Sequence, residues 1–182
     1  MEPTELIHKY YADNEELRNL LLLHSSQVTH RALYIAKQHP ELHLDEEFIS
    51  QAAMLHDIGI FLTDAPGIHC HGDAPYLMHG YLGAELMRRE GREDIARVCE
   101  RHTGTGLTAA QVAEMNLPIP VKDNCPETLE EQVICYADKF FSKSHPLRIR
   151  NVAETAQSLE KFGAEGVEKF KQWARMFENQ KD

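Results

Sequence analysis

The spacing of the apolar residues most constrains what this chain can fold into. Most segments carry apolar side chains three and four residues apart, the period of an α-helix, and few show the strict alternation of a β-strand. The sequence therefore predicts an all-α fold with a loop of small and helix-breaking residues over 63–75. Helices are predicted over 15–39, 45–58, 80–90, 93–101, 109–115, 129–142, about 151–162 and 164–177.

The chain length suits one domain, since 182 residues leave little room for two. We expect residues 1–150 to carry the functional site and residues 151–182 to form a helical extension packed on the same domain. Phe170, Trp173 and Phe177 form an apolar stripe in that extension, and packing is its preferred interpretation. Because the extension is amphipathic, a homodimer is also plausible.

The charge and the apolar runs exclude several classes of partner. With 19 basic and 29 acidic residues, the net charge is −10, whereas binding nucleic acid requires a cationic face. The apolar runs, such as Leu20–Leu23, are far shorter than the roughly 20 residues of a membrane span. The first residues lack a signal-peptide pattern, and the four cysteines lack Cys-x-x-Cys spacing. We therefore expect a cytoplasmic protein with reduced thiols and no membrane or nucleic-acid partner.

Several of the eleven histidines stand with aspartates where the helical pattern predicts an apolar interior. Asp138, for example, lies inside Val-Ile-Cys-Tyr-Ala-Asp-Lys-Phe-Phe. A carboxylate there is costly unless it is paired, neutralised or bound to a metal. Imidazole and carboxylate together suit iron, manganese, nickel, cobalt or zinc. The candidate metal ligands are His24, His56, Asp57, His79, His102 and Asp138.

In their order, His24, His56-Asp57 and Asp138 resemble the signature of the HD superfamily of metal-dependent phosphohydrolases. The string Leu-His-Asp-Ile-Gly at 55–59 has the form called HDIG, and the resemblance covers roughly residues 15–145. It implies an HD-domain helical bundle. With His79 and His102 the order resembles the binuclear branch of the superfamily. That branch includes dinucleoside tetraphosphate hydrolases, cyclic-dinucleotide phosphodiesterases and di-iron oxygenases.

The resemblance implies one or two divalent metals per chain. His24, His56, Asp57 and Asp138 would hold the first, and Asp57 would bridge to a second held by His79 and His102. Iron is the foremost expectation, with manganese, nickel, cobalt, zinc or magnesium as alternatives. Around a single metal, His79 and His102 would instead support the ligands, contact substrate or cap a helix.

The implied activity is hydrolysis of a phosphate ester or anhydride in a nucleotide-like small molecule by a metal-activated water. Asp57, His79 and Lys139 are the candidate catalytic residues, and Arg101 is a second candidate for local positive charge. The residues at 103–106 could meet an anion at the mouth of the site. A di-iron oxygenase and a non-catalytic metal-binding sensor remain alternatives. A signalling phosphodiesterase ranks lower, because Leu82 replaces the proline of the Gly-Tyr-Pro motif.

The remaining histidines carry weaker predictions. His69-Cys70-His71 alternates like a metal motif, but the surrounding glycines and prolines favour a solvated turn. That loop could still cover the pocket, so His69 and His71 are possible substrate contacts. The other histidines are given no role: His8, His30, His39, His43 and His145.

Overall fold

The predicted all-α fold is confirmed by a computed structural model that describes residues 2–178. Two short strands, β1 (Asp64–Ala65) and β2 (Cys70–His71), pair antiparallel, and short 3₁₀ helices occupy several connections. The helices are α1 (Pro3–Tyr10), α2 (Glu15–Gln38), α3 (Glu46–Leu55), α4 (His79–Arg89), α5 (Glu93–Arg101), α6 (Ala109–Met115), α7 (Leu129–Asp138), α8 (Val152–Ser158) and α9 (Ala164–Phe177).

The long helix α2 runs through the core and contacts α3 and α7. Asn14 begins it by accepting a hydrogen bond from the backbone N–H of Leu17, and Pro40 follows its end. One face of the helix, including Leu21, His24 and Val28, is buried. The same periodicity that predicts the helix therefore places His24 among core residues.

Helices α4 and α5 pack closely because small residues line their contacts. A Cβ on Gly80 would lie 2.5 Å from the carbonyl oxygen of Cys99 in α5. A Cβ on Gly59 would lie 2.4 Å from the carbonyl oxygen of His79. Only glycine permits these approaches, and they bring the start of α4 next to the ends of α3 and α5.

The structure corrects several of the predicted elements. Helix α3 ends at Leu55 and not at residue 58, and α8 ends at Ser158, before a 3₁₀ helix at Glu160–Phe162. Helix α1 was not predicted, although Pro3 at its first turn and the reciprocal capping of Glu2 and Glu5 are sequence signals for it. Helix α7 ends at Asp138, not at residue 142, so residues 139–142 belong to the turn that follows. The 63–75 loop contains the β1–β2 pair.

The C-terminal helix α9 packs against α7. Phe170 stacks on Tyr136 with ring centroids 5.0 Å apart, and the indole N–H of Trp173 donates to Gln132 at 3.1 Å. The apolar stripe of the extension therefore contacts this chain's own core, while the homodimer stays a prediction. The last four residues of the predicted extension, 179–182, lie outside the described range. Within that range, no helix is long and apolar enough to cross a membrane.

Candidate metal centre

Four of the predicted ligands converge where three core helices meet. His24 comes from the middle of α2, His56 and Asp57 follow α3, and Asp138 is the last residue of α7. Nε2 of His24 lies 3.0 Å from Oδ1 of Asp138 and 3.2 Å from Oδ2 of Asp57. Nε2 of His56 lies 3.2 Å from Oδ2 of Asp57 and 3.3 Å from Oδ1 of Asp138. All four side chains are buried.

A second group shares Asp57 with the first. Nε2 of His102 lies 3.1 Å from Oδ1 of Asp57, and Nε2 of His79 lies 3.4 Å from the same oxygen. The two imidazole nitrogens are 3.0 Å apart. Asp57 thus turns one carboxylate oxygen toward each group. This is the division expected for two metals, and ligation itself stays a prediction.

Three of the histidines are oriented by the same backbone contact. Nδ1 of His56 lies 2.7 Å from the carbonyl oxygen of Ala53, and His79 and His102 make the equivalent contact three residues back, at 2.6 and 2.7 Å. A carbonyl only accepts, so Nδ1 carries the proton in each ring. In the neutral imidazole, Nε2 then points a lone pair into the cluster, as a metal-ligating histidine does.

The donor set fits a divalent cation. The inward-facing atoms are carboxylate oxygens and imidazole nitrogens, which repel one another unless positive charge lies among them. Nε2 of His56 is buried and makes no hydrogen bond with any residue of the 2–178 range. Metal–nitrogen and metal–oxygen bonds of about 2.1 Å place neighbouring ligand atoms roughly 3.0–3.4 Å apart, as they are in both groups. The cluster therefore fits a divalent metal site.

The ionisation of these groups reflects the same demand for positive charge. Burial would raise the pKa of Asp57, yet Lys143 and His56 hold it well below its usual range. Burial also opposes protonation of His56, but the carboxylates of Asp57 and Asp138 outweigh it and raise the pKa of His56 to about 10. Burial lowers the pKa of His79 to about 3. The first group thus attracts a cation or a proton, while His79 stays neutral.

Two lysines bring positive charge to the cluster. Nζ of Lys139 lies 2.6 Å from Oδ2 of Asp138 and donates to the carbonyl oxygen of His102 at 2.6 Å. Nζ of Lys143 lies 2.6 Å from Oδ2 of Asp57. Lys143 is not among the predicted site residues, because the predicted helix to residue 142 does not return the chain toward Asp57.

The cluster opens on a cavity of about 190 Å³, whose wall includes His79, His102 and both lysines. Thr103 and Gly104 also line it, so the first half of the 103–106 segment lies at the mouth as expected. Arg101 lies elsewhere, because its guanidinium pairs with Glu127 and Glu131.

The His69–Cys70–His71 stretch forms part of the β1–β2 pair. Cys70 is buried, whereas the side chain of His69 is 47% exposed and lies 3.4 Å from a carboxylate oxygen of Glu16. Neither histidine lines the cavity at the cluster. Their positions therefore do not support a contact of His69 or His71 with substrate, which was the less favoured interpretation of this stretch.

The fold and the cluster define a helical domain built around buried histidines and aspartates that could hold a divalent metal. A family model for the HD domain matches residues 21–142. The chain belongs to the HD domain family, which fits a metal-dependent enzyme.

Two longer curated proteins are similar in sequence to most of this chain. It is 31% identical over 152 residues to a tRNA (cytidine(56)-2'-O)-methyltransferase of Thermoplasma volcanium, and 30% identical over 142 residues to a protein of the same name from Picrophilus torridus. These alignments cover 82% and 78% of this chain but 38% and 37% of the relatives. The chain therefore spans less than two fifths of their length.

A third relative is of more similar size. An uncharacterised protein of Methanocaldococcus jannaschii is 34% identical over 121 residues, which cover 66% of this chain and 64% of the relative. No solved structure matches the chain.

Proposed function

We propose that the protein is a metal-dependent phosphohydrolase that cleaves a phosphate ester or anhydride in a nucleotide-like small molecule. One observation carries the proposal: a buried cluster with the donors for two cations opens on a cavity that Lys139, Lys143 and Lys161 also line. Those lysines place positive charge where a phosphate would enter a chain of net charge −10. The HDIG subtype and a cytoplasmic location belong to the same proposal, the latter supported by four free cysteines.

The residues that would hold the ions are the six of the cluster. Four of them, His24, His56, Asp57 and Asp138, would hold one ion, and Asp57 would share a second with His79 and His102. Iron is the foremost candidate, with manganese, nickel, cobalt, zinc or magnesium as alternatives. Bound there, divalent ions would activate a water and neutralise charge on phosphoryl oxygens.

The chain's own side chains would bind and orient the substrate. Lys139 and Lys143 line the cavity, and their ammonium groups would attract phosphoryl oxygens. Lys139 also contacts Asp138 and the carbonyl of His102, so it would keep those two groups in place. Burial keeps His79 neutral, so the lone pair of its Nε2 would be free to bind an ion. Thr103 would offer a hydroxyl at the mouth of the cavity.

The first experiment is the metal content of protein purified without added metal or chelator, followed by hydrolysis of p-nitrophenyl phosphate and a panel of nucleotides. We expect close to two ions per chain and phosphate release that Asp57→Asn abolishes. Failure to bind any metal, even after soaking, would contradict the proposal. Oxygen consumption by the reduced, iron-loaded protein, without phosphate release, would favour the di-iron oxygenase. Metal binding without either activity would favour the sensing domain.

A second candidate is a role in 2'-O-methylation of tRNA cytidine 56, which the names of two relatives favour. The chain matches only part of each relative, so the shared region need not be the one that transfers the methyl group. Methyl transfer from S-adenosylmethionine to tRNA by the purified chain tests this candidate. We expect none, and transfer that Asp57→Asn leaves unchanged would assign the activity to a different site.

A further inference from the structure

A second cavity adjoins the one at the metal cluster. It has a volume of about 450 Å³, and three of its lining residues, Tyr76, Lys143 and Lys161, also line the first cavity. The two cavities therefore share part of their wall, and Lys143 belongs to both. We call the second cavity the basic cleft; its polar wall consists of Ser142, Lys143, Ser144, Arg150 and Lys161.

The basic cleft is strongly cationic in an acidic protein. Three basic side chains line it and no carboxylate does, although acidic residues outnumber basic ones by 29 to 19 in the whole chain. Neither Arg150 nor Lys161 forms an ion pair with a carboxylate of residues 2–178, whereas Arg97 and Arg101 pair with glutamates. Uncompensated positive charge gathered in a concave surface favours binding of an anion.

The local fold fixes the position of Arg150 in the wall of the basic cleft. The backbone N–H of Arg150 donates to the carbonyl oxygen of Phe140 at 3.0 Å, and Phe141 pairs with Ile149 as an isolated bridge. The guanidinium donates to the carbonyl oxygen of Lys139 at 3.3 Å, which leaves other N–H groups of its fork for a ligand. The segment after α7 thus contributes both Lys143 and Arg150 to the basic cleft.

We propose that the basic cleft is a second phosphate-binding subsite, in which Arg150 and Lys161 hold a phosphate other than the one that is cleaved. This inference rests on the proposed function for the identity of the cleaved group, but binding of the second phosphate does not require turnover. It narrows the substrate class to organic molecules with two separated phosphate groups. Ser142 and Ser144 also line the subsite, and their hydroxyl oxygens lie 3.0 Å apart.

The test compares two probes that differ by one phosphate, adenosine 3′,5′-bisphosphate and adenosine 5′-monophosphate. Dissociation constants are measured by titration calorimetry on the purified protein and again after chelation, when no turnover consumes the probes. We expect the bisphosphate to bind about tenfold more tightly or better, because a charge-assisted hydrogen bond contributes about that factor. Arg150→Gln and Lys161→Gln should each remove most of this preference. Arg150 does not line the first cavity, so Arg150→Gln should also leave the monophosphate affinity unchanged.

Matched variants keep the result interpretable. Arg150→Lys retains the charge and should keep part of the preference, and Arg148→Gln, at an exposed arginine that pairs with Glu154, should keep all of it. If Arg150→Gln does not fold, Lys161→Gln is the variant to measure. Lys161 is exposed, so its substitution should not disturb folding. Equal affinity for the two probes, or a preference that survives both Gln substitutions, would overturn the subsite. A preference that depends on Arg150 without any phosphate release would keep the subsite and reject the hydrolase.

Discussion

At the scale of single residues, Asp57 is the point on which the cluster depends, because it faces both groups of donors. We therefore expect Asp57→Ala to remove both metals and all activity. His102→Ala should remove one metal only, since His102 belongs to the second group of donors and not to the first. Elemental analysis of the purified variants gives the number of ions per chain.

The exposed His71→Ala provides the control and should keep the wild-type metal content. If His102→Ala and His79→Ala both retain two ions per chain and full turnover, the binuclear interpretation is wrong. Neither residue would then be needed to hold the second ion. One ion per chain in the wild-type protein would instead make both residues substrate contacts around a single metal.

Lys143 supports a second prediction. Its ammonium lies against Asp57 and lines the cavity, so Lys143→Met should lower kcat/KM by about a hundredfold, the usual cost of removing one group that stabilises developing charge. Steady-state kinetics on p-nitrophenyl phosphate measures the loss. Lys171→Met, an exposed lysine on α9, serves as the control. Wild-type kinetics in Lys143→Met would exclude this role.

The sequence predicted these residues unevenly, for a physical reason. An apolar helical pattern surrounds His56, Asp57 and Asp138. A polar residue breaks such a pattern, so it can be recognised from the sequence. Lys143 lies in a polar turn, where a lysine is the ordinary choice, so no such conflict marks it. Its role follows only from the path of the chain after Asp138.

At the scale of helices, the approach of α4 to α5 sets the distance between His79 and His102. Gly80 permits that approach, because a Cβ there would lie 2.5 Å from the carbonyl oxygen of Cys99. We expect Gly80→Ala to push the helices apart and to lower stability by about 1–3 kcal/mol, as overpacking does. It should also lower the affinity for the second metal, held by His79 and His102, more than the affinity for the first. Chemical denaturation and metal titration measure the two effects.

Gly67→Ala is the matched control for stability, because no heavy atom lies within 4 Å of a Cβ built there. A Gly80→Ala protein as stable as wild type, with both metals bound, would show that α4 can shift without disturbing the second group.

Helix boundaries were predictable where the local sequence sets them. Helices α5 and α6 have the predicted limits, and Thr108 caps α6 through the backbone N–H of Gln111. The end of α7 was not predictable, because Lys139 to Ser142 have no proline or glycine to stop a helix. Tertiary contacts end it, including the donation from Arg150 N–H to the carbonyl of Phe140.

At the scale of the whole molecule, the cluster should make the stability of chelated protein depend on pH. The pKa of His56 is raised from 6.5 to about 10 on folding. Between these values the folded chain holds a proton that the unfolded chain has lost, so stability falls as pH rises. We expect the Tm of chelated protein to drop by several degrees between pH 7 and 9.5. Calorimetry on chelated and metal-loaded samples measures this.

The metal-loaded protein should escape this loss, because the ion then replaces the proton beside Asp57 and Asp138. A Tm that falls equally in both samples would place the titrating group elsewhere in the molecule.

The contact between Lys143 and Asp57 also bears on how the protein is made. Domains whose fold depends on a metal stay unfolded until the ion arrives, because their ligands have no other partner. Here the most buried carboxylate has a counter-charge from its own chain, so a newly synthesised molecule can fold during metal starvation. Metal supply would then set what fraction of the molecules is active, while their number in the cell stays the same.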